Sequence, residues 1–173
     1  MTNETERLSR RSALGRLLGA AVAVLPLPAF ARDDKKAGRV VKWDDKFEVS
    51  VDFEIADQGG FRSRRPYVAV FVEDKDGKTV RTLDLWVQTS RRGPRWIPDL
   101  RRWYRGDQTR MQTPNAPDLI ATVSAPTRNA GKYNVVWNGL DDNNKPVNQG
   151  EYTLYIEAVR EHGTYQLMKA VVN

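Results

Sequence analysis

Apolar and polar residues alternate with a period of two along several segments of this chain. Phe47, Val49, Val51, Phe53 and Ile55 form one such run, Tyr133, Val135 and Trp137 a second, and Tyr152, Leu154, Ile156 and Ala158 a third. Successive side chains of a strand point to opposite faces, so this period describes strands with one face buried. Tyr67–Glu73 is more continuously apolar, and after the Asp-Gly turn signal in Asp74-Lys75-Asp76-Gly77-Lys78 a strand over Thr79–Val87 returns to make a hairpin. Ile120–Val123 is a short strand candidate, and Tyr165–Val172 follows the turn at Glu161-His162-Gly163-Thr164. Roughly seven short strands separated by turn signals predict an all-β antiparallel sandwich.

Residues 88–118 break the pattern. They are rich in Arg and Pro and carry Trp96, Trp103 and Tyr104. Pro98–Arg105 reads as a short helix with proline in its first turn, closed by Gly106. The sandwich therefore carries one Arg/Trp-rich insertion holding a short helix.

The N-terminus divides into three parts. Ser9-Arg10-Arg11-Ser12 precedes an apolar run, Leu17–Leu25, which is broken by Pro26 and Pro28 and ends in Ala29-Phe30-Ala31. This order predicts a cleaved twin-arginine signal peptide over 1–31, since a membrane span needs about 20 apolar residues. The expected organisation is then a flexible lead-in over 32–45 and one domain over 46–173. Cleavage removes four basic and two acidic residues, lowering the formal net charge from +6 to +4. The expected location is periplasmic, reached through the twin-arginine export machinery, with no transmembrane anchor after cleavage and no nucleic-acid partner. There are no cysteines, which excludes disulfides and thiolate metal sites.

The stretch Asn129–Gly139, followed by Asp141–Val147 and Gly150–Leu154, resembles an immunoglobulin-like hairpin such as that of the flagellar hook-capping domain. In that pattern a strand ends in Trp-x-Gly, an Asp/Asn-rich turn follows, and Gly-x-Tyr opens the next strand. Trp137 should point inward and Tyr152 pack back on it. The wider order is more specific: Tyr67–Trp86, then Trp96–Leu100 with Trp103-Tyr104, then the Trp137 segment, then Glu157–Gly163. Over about residues 45–172 it resembles the domain-of-unknown-function 2271 family of predicted periplasmic proteins. The resemblance implies an immunoglobulin-like sandwich, a periplasmic address, and a context of membrane electron-transfer or iron-uptake components.

Two constellations carry candidate chemistry. Ala121–Arg128 occupies the place where relatives resemble Asp-x-x-Ser-Gly-Ala-Thr, which is similar to the acceptor motif of periplasmic flavin transferases. The resemblance implies covalent flavin mononucleotide on Thr127, with Ser124 three residues upstream. Ala121, Ala125 and Pro126 depart from that pattern, and the plainer reading is a loop between strands. The second constellation sets Arg91, Arg92, Arg95, Arg101, Arg102, Arg105 and Arg110 against only Asp99 and Asp107. With Trp96, Trp103 and Tyr104 interleaved, these residues form either a surface for an anionic ligand or a periplasmic or inner-membrane protein partner, or a solvated face over buried tryptophans.

No catalytic or metal site emerges. His162 is the sole histidine, Lys145 and Pro146 spoil a calcium loop at Asp141–Lys145, and no Gly-x-Ser-x-Gly elbow occurs. The expected function is a non-enzymatic accessory or binding protein; a flavinylated electron carrier is the alternative, and a hydrolase ranks last.

Overall fold

A computed structural model describes residues 41–44, 46–57, 59, 64–161 and 163–173. The expected signal peptide, nearly all of the expected lead-in, and His162 lie outside them.

Among the described residues, seven strands form two sheets. β1 (Val49–Ile55) pairs antiparallel with β5 (Gly131–Trp137) in a two-stranded sheet. The other sheet has the order β4 (Ser124–Ala125), β3 (Thr79–Trp86), β2 (Tyr67–Asp74), β6 (Tyr152–Val159), β7 (Tyr165–Val172). All of its pairs are antiparallel except β3 with β4. Between β3 and β4 lie a 3-10 segment (Gly93–Asp99), helix α1 (Arg101–Met111) and helix α2 (Leu119–Thr122).

The larger sheet is covered on both faces. Val68, Val70, Val72, Trp86, Leu154 and Ile156 meet Phe53, Ile55 and Trp137 of the smaller sheet. On the opposite face, Ala69, Phe71, Leu85 and Tyr155 meet Ile97, Leu100, Trp103 and Leu119 of the helical layer. This double cover explains why β2 is buried from Tyr67 to Glu73 and reads as a continuous apolar run. β1 and β5 have one buried face and keep their alternation. A two-stranded sheet is marginal by itself, so packing against β2, β3 and β6 is what holds it.

The hairpin between β2 and β3 forms as expected. The Asp74 carboxylate accepts from the amides of Asp76 and Lys78, and Gly77 supplies the left-handed residue at φ 76°. Two register shifts in β3 follow, between Val70 and Phe71 and between Val72 and Glu73. The first opposes Val70 to Asp84 and Phe71 to Thr82, leaving Leu83 as the extra residue. Thr82 and Leu85 thereby both face the helical layer, which an unbroken period of two forbids.

Three local expectations are corrected. Residues 131–159 make no hairpin, because β5 and β6 belong to different sheets and the Asp/Asn-rich segment crosses between them. The inward packing nonetheless stands: Trp137 is fully buried and meets Tyr152 edge-on, with ring centroids 5.0 Å apart. Ile120–Thr122 is helical rather than extended, because the Asp118 side chain caps α2 by accepting from the Ala121 amide. Gly106 does not close a helix. α1 begins after Pro98 and runs through Gly106, where a Cβ would lie 2.2 Å from Thr79 Oγ1.

The capping of α1 comes from outside the helix. Leu100 at its N-cap offers no side-chain acceptor. Instead the fully buried Glu157 carboxylate, from the middle of β6, accepts from the amides of Arg102 at 2.9 Å and Trp103 at 2.8 Å. A negative group at a helix N-terminus satisfies unpaired amides and complements the helix dipole. Glu157→Ala should therefore cost about 3 kcal/mol or more in urea denaturation, since it strands buried amides. Glu157→Gln, which keeps one acceptor, should cost about half as much.

Candidate ligand-binding surface

The arginine-rich segment separates into two kinds of side chain once folded. Arg102 reaches Glu73 through two bonds, Nε to Oε1 at 3.1 Å and Nη2 to Oε2 at 2.6 Å, and lies 4.1 Å from the Tyr155 ring centroid. Glu73 is buried, and its contact holds the Arg102 guanidinium still more firmly in the charged form. Arg110 pairs with the buried Asp107 and donates to the Pro117 carbonyl at 2.5 Å. Trp103 is fully buried and donates Nε1 to Thr82 Oγ1 at 3.0 Å. Arg102 and Trp103 thus fasten α1 to the sheet, while Arg110 ties α1 to the segment leading to α2.

Arg91, Arg92, Arg95, Arg101 and Arg105 are exposed and have no carboxylate partner among the described residues. Arg95 lies 4.4 Å from the Trp96 ring centroid and Arg101 5.1 Å from that of Tyr165. Trp96 and Tyr104 are half-buried against the helical core cluster. Stacking on a ring leaves the guanidinium edge available for an anion.

The Ala121–Arg128 constellation lies at the other end of the insertion. Ser124 opens β4 and donates its hydroxyl to the Ile120 carbonyl at 2.6 Å. Thr127 is half-buried in the loop between β4 and β5, and its hydroxyl has no hydrogen-bond partner among the described residues. Arg65 reaches the Thr127 carbonyl at 3.5 Å, and Arg128 lies 4.6 Å from the Trp86 ring centroid. The sequence reading missed Arg65 and Arg128 because nothing local marks them.

It also missed Glu73, Glu157 and Tyr165. Glu157 did carry a signal, a lone carboxylate inside a strongly apolar strand, which has to be paired if buried. Among the described residues no group of His, Cys, Asp and Glu side chains could hold a metal ion, and no helix is long and apolar enough to cross a membrane.

A family model described as "Predicted periplasmic protein (DUF2271)" matches residues 48–173. The chain belongs to this family. The matched span takes in both sheets, the helical layer and both constellations, so none of these is an accessory to the family's domain. No curated protein and no solved structure shows significant similarity to the chain.

Burial, with a hydrogen bond to Glu157, pushes the Tyr165 hydroxyl up to about 12 from 10.0. The folded state therefore holds this proton more tightly than the unfolded chain. The resulting stability is fully present below pH 10 and is lost as pH rises from about 10 to about 12. Alkaline unfolding followed by circular dichroism should show this decline, and Tyr165→Phe should flatten it.

Proposed function

We propose that this domain is an exported, non-catalytic accessory module that binds an anionic partner through the exposed arginines beside α1. One observation carries the reading: Arg91, Arg92, Arg95, Arg101 and Arg105 remain exposed without carboxylate partners, while Arg102 and Arg110 are consumed in fastening the same layer. Five unpaired guanidiniums on one short segment favour an acidic protein surface or a phosphate-bearing group. The twin-arginine pattern before residue 32 supports delivery to the periplasm and argues against nucleic acid as the partner. Association with inner-membrane redox or iron-uptake components fits that location.

The test must spare Arg102, whose reversal would set a buried Glu73 against a like charge. Arg95→Glu with Arg101→Glu should leave the circular dichroism spectrum unchanged and abolish salt-sensitive capture of the periplasmic or membrane partner held by the wild type. Capture at wild-type level by the folded double variant would refute the reading.

A second reading is a flavin carrier modified at Thr127. It is favoured by a hydroxyl with no hydrogen-bond partner among the described residues, on the residue whose carbonyl Arg65 reaches at 3.5 Å, an arginine of the kind that suits a phosphate group. These residues fit a phosphate-linked flavin mononucleotide, which would supply redox chemistry, with Ser124 holding the start of β4 to α2. Co-production with a periplasmic flavin transferase should yield a yellow protein with a flavin-sized gain in intact mass. Thr127→Ala should remove both, and an unmodified wild-type mass would refute this reading.

A further inference from the structure

A cleft of about 930 Å³ lies between the β2–β3 turn, the second half of α1, the segment leading to α2, and the loop from β5 to β6. Its volume is within the range that encloses small organic ligands. Neither constellation singled out from the sequence describes it, because its walls come from four separated parts of the chain.

Its charges are unevenly engaged. Every carboxylate in the lining already accepts from the protein. Glu73 is held by Arg102, Asp74 and Asp141 by turn amides, Asp76 by Lys75, and Asp142 by the Thr82 amide at 2.8 Å. By contrast Lys78, Arg105 and Lys145, also in the lining, are exposed, and among the described residues no side-chain hydrogen bond or ion pair engages their cationic groups. They come from the hairpin turn, α1 and the inter-sheet loop respectively. The residues between them keep unused hydrogen-bonding capacity. Thr79 Oγ1, Arg110 Nε and Asp142 Oδ2 are buried and have no hydrogen-bond partner among the described residues, and Thr79 is only 8% exposed. Buried polar atoms without partners are few in a folded protein, and three sharing one cleft mark a polar site.

We infer that this cleft binds a small organic anion carrying two or more carboxylate or phosphate groups. Lys78, Arg105 and Lys145 are spread over three walls, so one anion of this class is matched by several cations where a single-charge ligand would engage one. This site goes beyond the partner surface proposed above and shares only Arg105 with it.

Citrate and pyrophosphate serve as probes for the carboxylate and phosphate forms, with the neutral polyol sorbitol as control. In titration calorimetry near 0.15 M salt, at least one anion should bind saturably with Kd below about 1 mM, and sorbitol should not bind. Lys78→Ala with Lys145→Ala should weaken that binding by about tenfold or more, while thermal unfolding stays cooperative. Arg91→Ala with Arg92→Ala should leave the affinity unchanged, which separates this site from the partner surface. The tighter of the two probes names the recognised group. Absence of saturable binding by both anions would overturn the inference, as would wild-type affinity in the folded Lys78/Lys145 variant.

Discussion

The buried carboxylate of Glu157 is the interaction on which the helical layer depends. It sits at the centre of β6, itself between β2 and β7, and receives two amides from the first turn of α1. An ionised group with no exposure is costly unless hydrogen-bonded, and the helix terminus supplies both the donors and a favourable dipole. Strand and helix thus each remove the other's unsatisfied groups. With α1 placed, Arg102 falls on Glu73 and Tyr155, Trp103 reaches Thr82, and Gly106 lies where only a hydrogen can pass Thr79.

This fastening divides the arginines. Arg102 is drawn onto the buried Glu73 of β2 and Arg110 onto the buried Asp107 of its own helix, where each partner offsets the desolvation of the other. Those facing outward have no such partners and leave the layer with a surplus of positive charge. The same layer therefore supplies its own rigid support and the exposed guanidiniums that can meet an anion. Preorganisation of this kind lowers the side-chain ordering cost of binding.

The sandwich is asymmetric: a two-stranded sheet covers one face of the five-stranded sheet and helices cover the other. Edge strand β7 receives the least cover and is mostly exposed. The β5–β6 segment, which crosses between the sheets, is tied back to β3. Arg81 donates to the Asp141 carbonyl and to Asn144 Oδ1, and Asp142 accepts from the Thr82 amide. Burial raises the Asp142 carboxyl above its usual range against the lowering effect of that amide. These ties bring the loop beside the β2–β3 turn and shape the cleft.

Local sequence pattern by itself determined that the regular structure is mainly strand, that Trp137 and Tyr152 face inward, and that Asp74–Lys78 turns, because these features depend on neighbouring residues alone. The long apolar run of β2 marked a strand, but its cover on both faces emerged only from the fold. Which strands share a sheet was decided only by tertiary structure, since the Trp137 and Tyr152 segments are adjacent in sequence yet pair with different partners. Gly106 shows the same limit, reading as a helix stop until the approach of Thr79 gives it another reason. The candidate surface was legible as a count of arginines but not as a sorting of them. Arg110 meets Asp107 on its own helix, but the carboxylate that claims Arg102 is specified by folding, since Glu73 lies 29 residues from it in sequence. The cleft was illegible for the same reason: three distant cations become one site only when hairpin, helix and crossing loop converge.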